Sequence, residues 1–265
     1  MKSLQIAATG MAAQQMRVDV ISNNIANMST AAYRPRVAEF SDLVYQQYLT
    51  PGTLTSQTGT VVPAGIQLGT GVKASTVSIE ITQGSMRQTG GELDIGIDGS
   101  GFLAITLPDG ESAYTRDGKL NRSPDGEIVT MDGYSLADGI TIPSDASRIS
   151  ISRDGEVVAY FDNQPNGQSI GVISLATFVN EKGLEALGDN LFRETEASGQ
   201  ANSQVPGSQG VGTVRQGFLE DSSVDVVKEI SDLNEAQRGY ELNSKVITAS
   251  DEMLAATTRL RKDHD

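Results

Sequence analysis

The sequence predicts an α+β chain: N- and C-terminal heptad helices forming a coiled-coil-like α domain, an extended β arm, and a central, mainly antiparallel β domain. Three observations carry that prediction. Apolar residues recur every seven positions at both ends, a polar stretch broken by Pro and Gly follows the first helix, and seven Asp-Gly dipeptides divide the middle into short strand-forming segments. The corresponding boundaries are 1–33 for the first helix, 34–75 for the arm, 76–215 for the β domain and 216–265 for the second helix.

From residue 3 to about 28, Leu4, Met11, Val18 and Ile25 form one row, and Ala7, Ile21 and Met28 the neighbouring one, with Gln14 taking a place in the second. Such a narrow apolar seam suits a coiled-coil strand better than a helix lying on a broad core. At the other end Val226, Leu233, Tyr240, Ile247 and Leu254 are spaced by seven, with Ile230 one turn after the first, and Ala236, Asn243, Ser250 and Thr257 are offset by three. Asp221, Ser222 and Ser223 offer N-cap chemistry for this helix. A buried Leu or Ile contributes roughly 1.5–3 kcal/mol and an Ala far less, so seams this rich in Ala, Gln, Asn and Ser hold weakly. The expectation is that both helices gain order by packing on each other and on neighbouring copies. Leu4, Met11, Val18, Ile21, Ile25, Met28, Val226, Ile230, Leu233, Tyr240, Ile247 and Leu254 are therefore candidate assembly residues. Asn23, Asn24 and Asn27 join them, because Asn can satisfy backbone groups where a helix ends.

The arm opens at Arg34-Pro35 and runs through TPGTLTSQTGTVVPAG, where Pro51, Pro63 and the glycines disfavour a helix. It reads as an extended arm or a long hairpin. In the middle, Asp-Gly suits the type I′ turn of a two-residue hairpin. Phe102 to Leu107 and Gly171 to Phe178 read as strands, and a short helix is expected near Lys182 to Leu187.

Composition removes several kinds of chemistry. A net charge of −14 with a pI near 4.5 argues against nucleic acid and anionic membrane surfaces. There is no Cys, and the one His, His264, is the penultimate residue, so thiol catalysis, disulfides and His-based devices lack material. Asp94 to Gly99 resembles the start of a calcium loop, but Gly96 and Ile105 stand where ligands are required. Gly69-Thr70-Gly71 and Gly99-Ser100-Gly101 complete no nucleotide-binding fingerprint. Carboxylates are plentiful, but without Trp there is little to form a sugar-stacking platform. The chain is expected to be no enzyme and to use no cofactor or metal. No signal-peptide run of roughly 7–15 apolar residues opens it, and no window nears the roughly 18 of a membrane span, so neither cleavage nor membrane insertion is expected.

Ile21-Ser22-Asn23-Asn24-Ile25-Ala26-Asn27, followed by Ser29-Thr30 and Tyr33-Arg34, resembles the N-terminal signature of the flagellar basal-body rod and hook protein family. Gly99 to Phe102 with Tyr114 to Gly118 resembles the β-domain motif of that family, and Ala236 to Lys245 its C-terminal motif. Gln46 to Gly71 is similar to the insertion of the distal-rod branch. Departures are Ala32 where the family commonly has Gly, Gly239 where it commonly has Ala, and the extension Arg261 to Asp265.

The resemblance implies a structural subunit of the distal rod, exported without a cleaved signal and polymerising across the periplasm into a rigid tubular shaft that carries torque from motor to hook. The implied partners are further copies in a helical homopolymer, proximal rod proteins, hook protein, the P and L ring proteins, the flagellar export apparatus and the rod cap. A proximal rod or hook subunit is the alternative within the family, and a secreted ligand-binding β module the alternative outside it.

Overall fold

The computed structural model describes residues 2–50, 65–162 and 164–262. The central part of the arm, 51–64, lies outside the described residues, as do His264 and the side chain of Thr257. The chain divides into two compact units. One comprises 1–26, 36–79 and 225–265, and the other 27–35 and 80–224.

The first unit is built on helix α1 (Lys2–Ala26) and helix α2 (Val226–Lys262). Neither contains Pro, and α1 is rich in Ala, Gln and Met, which lose little on entering a helix. The N-cap of α2 is Asp225, one residue before its first turn, and not Asp221 to Ser223. Asp225 Oδ1 accepts from the N–H of Val227 (3.0 Å) and Lys228 (3.2 Å). α1 stops at Ala26, so Asn27 and Met28 follow the helix and do not extend it.

The two helices run antiparallel, with contacts stepping along both in opposite directions. Ser250 Oγ donates to Ser3 Oγ (3.3 Å), Gly10 faces Asn243, Gln14 faces Gly239, Arg17 pairs with Asp232 (3.3 Å), and Asn24 Nδ2 donates to Glu229 (3.2 Å). A Cβ at Gly10 would stand 2.9 Å from Asn243 Nδ2, and one at Gly239 3.1 Å from Gln14 Cδ. Missing side chains thus let the backbones approach, and Gly239 accommodates Gln14 at about 1 kcal/mol of helix propensity.

Residues 36–49 and 66–79 form a two-stranded ribbon. Strand β1 (Arg36–Asp42) pairs antiparallel with β4 (Val72–Ile79), with a bulge between Glu39 and Phe40, and β2 (Gln46–Leu49) pairs with β3 (Ile66–Leu68). Asn24 ties α1 to the ribbon's start. Its Nδ2 donates to Arg36 O (2.8 Å) while its Oδ1 accepts from Arg36 N (2.9 Å), so the side-chain amide substitutes for a strand residue.

In the second unit every strand pairing is antiparallel. The main sheet runs in the order Glu185–Gly188, Leu191–Arg193, Ser112–Thr115, Phe102–Thr106, Ser135–Leu136, Ile128–Thr130 and Leu120–Arg122, and Leu175–Thr177 also pairs with Phe102–Thr106. Ala146–Ile151, Glu156–Phe161 and Gln164–Val172 make a three-stranded sheet. Two ribbons complete the unit, Ile95–Asp98 with Thr213–Gln216 and Met86–Gln88 with Phe218–Glu220. Ile95, Ile97, Leu103, Val157, Leu175 and Val214 are all fully buried in one core. At the edge of the three-stranded sheet Gln216 replaces a neighbouring strand, accepting from Ile151 N (2.9 Å) and donating to Ile149 O (2.9 Å).

The Asp-Gly turns are not of type I′. In six of them only the Gly has positive φ; Gly99 is one, and the other five, Gly110, Gly126, Gly133, Gly139 and Gly155, close tight turns. The Gly N–H bonds back to the residue three earlier, as in Gly110 to Leu107 O (2.9 Å) and Gly126 to Ser123 O (2.9 Å). Each is a type I turn closed by a left-handed Gly, and all but the one at Gly139, whose flanking segments pair with other strands, are three-residue hairpins with a G1 bulge. The helix expected at Lys182 to Leu187 is instead a single 3-10 turn, Glu181–Gly183, followed by the strand Glu185–Gly188. The strand expected over Gly171 to Phe178 is divided, since Gln164–Val172 ends before Leu175–Thr177 begins.

Residues 27–35 pack as a strap within the second unit. Ala32 N donates to Glu220 O (2.8 Å), Ser223 N to Tyr33 O (3.1 Å), and Asn190 Nδ2 to Ala31 O (3.0 Å). Ala32 is held there at φ 54, a left-handed conformation costing roughly 1–2 kcal/mol for a residue with a Cβ. Ala32→Gly is therefore expected to stabilise this unit, read as a higher urea midpoint, by no more than about 1 kcal/mol because Gly also frees the unfolded chain.

Candidate assembly interface

The residue types along α1 and α2 decide which faces they seal. Ala7, Ala13, Ile21 and Asn24 are buried on α1, and Glu229, Ala236 and Ser250 on α2. Glu229, Ala236, Asn243 and Ser250 are themselves spaced by seven. The helices thus meet along a row of small and polar side chains, and the large apolar residues lie beside it. Leu4, Met11, Val18 and Ile25 are half-buried, as are Val226, Leu233 and Ile247. Ile230, Tyr240, Leu254 and Met28 are exposed, Asn23 is exposed, and Asn27 is half-buried in the strap. Of the three asparagines, Asn24 bonds to the backbone of Arg36, while Asn27 Oδ1 accepts from Thr30 Oγ1 (3.1 Å).

Sequence reasoning missed an apolar face on α2. Leu242 (63% exposed), Val246 (47%) and Met253 (63%) project from one side of the helix, four and seven residues apart and outside the heptad rows. Their spacing was a readable signal, since i, i+4 and i+11 share a helix face. A row of large apolar side chains this exposed marks a surface that other protein covers.

The second unit has its own node, also missed. The guanidinium of Arg116 is buried, with Nη2 2.8 Å from Glu220 Oε2 and Nε 2.9 Å from the same oxygen. Its remaining donors reach Gly99 O (3.0 Å), Gly101 O (2.8 Å) and Ile97 O (3.2 Å). Glu220 Oε1 accepts from Gly84 N (3.1 Å). Burial pushes the Arg116 guanidinium down and Glu220 pulls it back, and a group with so high an ordinary pKa remains charged. Arg34 of the strap pairs with Glu181 (2.6 Å) and lies 5.5 Å from the Phe102 ring centre. Phe102 meets Phe178 and Phe192 edge-on, at 5.7 and 5.9 Å.

Next to this node the Asp117 carboxyl is pushed up by burial first, then by Asp132 and Asp94, against the opposing Lys119 N–H and charge. A carboxyl raised in the folded state favours folding when protonated, and that contribution is lost as pH rises through its folded pKa. Asp117→Asn keeps the acceptor for Lys119 N (3.0 Å) and removes the buried charge. The variant is expected to have a modestly higher urea midpoint than the wild type at pH 7. That advantage should vanish below about pH 4, where the carboxyl is protonated in the unfolded chain as well.

Three family descriptions match in chain order. "Flagella basal body rod protein" covers 4–34, "Flagellar hook protein FlgE/F/G D1 domain" covers 96–159, and "Flagellar basal body rod FlgEFG protein C-terminal" covers 215–260. These spans contain Asn24 and Arg34, Arg116, and Glu220 with most of α2 respectively. The class is that of the flagellar rod and hook structural proteins. Among relatives, the flagellar basal-body rod protein FlgG of Caulobacter vibrioides is 51% identical over 98% of this chain and 100% of its own length. That of Agrobacterium fabrum is 46% identical over 98% and 99%, and that of Bacillus subtilis 38% over 99% and 100%. The chain belongs to the flagellar basal-body rod protein FlgG family, as a structural subunit of the distal rod. The crystal structure of Helicobacter pylori flagellar hook protein FlgE2 aligns at 14% identity over 70% of this chain and 43% of that one, with a TM-score of 0.24, too low to argue from.

Proposed function

We propose that the chain polymerises through its terminal helices into a rigid tube that spans the periplasm and carries torque from motor to hook. The observation that supports this reading best is the outward apolar row of Leu242, Val246 and Met253 on a helix whose inner seam is already filled by small residues. In the polymer, coiled-coil-like packing with neighbouring copies covers that row together with Tyr240, Leu254 and the half-buried Leu4, Met11 and Val18. Helices α1 and α2 then act as the core helices, the ribbon that opens at Arg36 as an arm that resists sliding between copies, and the second unit as the β body. Further partners in this reading are proximal rod and hook proteins, the P and L rings, the rod cap and the export apparatus. Its work is mechanical and not catalytic.

Each large apolar side chain covered in such a contact contributes roughly 1.5–3 kcal/mol. Leu242→Ser with Val246→Ser is therefore expected to abolish filaments in electron micrographs of concentrated protein, while the urea transition of the β unit stays in place. Wild-type protein that remains monomeric at high concentration, even with a rod seed, would rule the reading out.

A further inference from the structure

The sequence holds one Asn-Gly dipeptide, Asn166-Gly167, and both residues are exposed. It lies in the edge strand Gln164–Val172 of the three-stranded sheet, nine residues without a charge. The register across to Glu156–Phe161 breaks there: Ala159 pairs with Gln168 and Phe161 with Gln164, so residues 165–167 stand opposite Tyr160 alone. Main-chain groups alternate in direction along an antiparallel strand. Ile151 N and Ile149 O turn outward to Gln216, so Ser150 and Arg148 turn inward, and Arg148 is the partner of Tyr160. Ser147 Oγ donates to Tyr160 O from the same side (3.2 Å). The N–H of Gly167 therefore has no ladder acceptor among the described residues.

The Asp-Gly dipeptides, open to the same chemistry, are held differently. In six of the seven the Gly N–H is bonded: that of Gly99 to Gln83 Oε1 (3.1 Å), and those of Gly110, Gly126, Gly133, Gly139 and Gly155 to the carbonyl three residues earlier, at 2.9–3.1 Å. In the seventh, Gly118 packs against Ile95 O, and Asp117 Oδ1 accepts from Lys119 N (3.0 Å). A backbone nitrogen so engaged reaches a neighbouring side chain only after local opening, which costs free energy. Packing requires the glycine at 167, where a Cβ would lie 2.4 Å from Val158 Cγ1 and 2.9 Å from Tyr160 Cε1. The same missing Cβ leaves the approach of its nitrogen to the Asn166 side chain unobstructed.

We propose that Asn166 is a site of spontaneous covalent modification in the folded protein, deamidated through a cyclic imide. Gly167 N attacks Asn166 Cγ and gives up its proton to solvent base. The bond from Cγ to the side-chain amide nitrogen breaks, and that nitrogen leaves as ammonia. Water then opens the imide ring at either carbonyl, giving aspartate or isoaspartate. The sum is one amide and one water converted to one carboxylate and one ammonium ion, with no oxidant, reductant or cofactor. The product puts a negative charge on an edge strand that has none, the kind of charge that keeps sheet edges from pairing. Isoaspartate also adds a methylene to the backbone there. The site stands whether or not the chain polymerises.

The test uses the full chain as wild type and Asn166→Gln, held in mildly alkaline buffer both native and in urea. Peptide mass mapping follows the conversion, and isoaspartyl-specific methylation reads the isoaspartate. The wild type should show the mass gain of an amide-to-acid conversion in the peptide carrying Asn166, with a matching acidic peak in ion exchange. Its native rate should lie within about threefold of its rate in urea, because nothing holds the Gly167 nitrogen. The Asp-Gly peptides should form isoaspartate at least about tenfold more slowly native than in urea, the factor that about 1.4 kcal/mol of local opening gives. Asn166→Gln should keep the urea midpoint and lack the acidic peak, since the longer side chain closes a less favourable ring. A native Asn166 rate that falls below the urea rate by more than that threefold overturns the proposal, and so does an acidic peak that persists in Asn166→Gln.

Discussion

Glu220→Ala is expected to destabilise the β unit by about 3–5 kcal/mol, because it leaves the Arg116 guanidinium buried without a counter-charge. Loss of the acceptor for Gly84 N adds to this. Many buried ion pairs can be exchanged for apolar residues of similar size at little cost, so the informative variant is the double, Arg116→Met with Glu220→Met. Here the exchange should fail. Arg116 serves three backbone carbonyls as well as Glu220, and Met at 116 would strand Ile97 O, Gly99 O and Gly101 O in the interior. The double variant should thus remain at least about 3 kcal/mol below the wild type in urea unfolding. Recovery to the wild-type midpoint would show that the node is an ordinary ion pair and not the organiser of the turn at 97–101.

The terminal helices were legible because a seven-residue period is a direct record of a helix face. Which of the two neighbouring rows meets the other helix was not, since rows offset by three residues lie only about 60° apart around a helix. The choice was made by close approach at Gly10 and Gly239 and by the small Ala236 and Ser250 of the second row. Turn positions were legible from Asp-Gly, while the turn type was misread despite an available signal. In Leu107-Pro108-Asp109-Gly110 and Ser123-Pro124-Asp125-Gly126 the Pro holds φ near −65°, which a type I′ turn does not allow and position i+1 of a type I turn favours. Arg116 was visible within a motif but was given no role of its own. Its partner Glu220 is 104 positions away, and nothing in local pattern joins an arginine on a hairpin to a glutamate at the end of the β unit. The strap was hidden for a similar reason: Asn27 to Pro35 looks like the tail of a helix until its carbonyls are seen bonded to Asn190 and Ser223.

Gly118→Ala is expected to be the other severe lesion, and it separates two reasons for keeping a glycine. Gly118 has no positive φ, so its conformation is open to alanine. What forbids the side chain is proximity: a Cβ there would lie 1.6 Å from Ile95 O and 2.7 Å from Ile95 C, against backbone that cannot swing aside as a side chain would. Relief requires the strand Ile95–Asp98 to move away, which breaks the bond from Ile95 N to Gly118 O (2.9 Å) and draws Ile97 O from Arg116. Overpacking with the loss of two buried hydrogen bonds should cost more than about 3 kcal/mol. Gly110 is the converse, with φ at 85 but open space around its Cβ position, so Gly110→Ala should cost only about 1–2 kcal/mol of backbone strain. Comparing the urea midpoints of the two variants decides the point. Equal losses would mean that the strand yields freely at Gly118, and that the buried ribbon under Arg116 is far softer than its close contacts require.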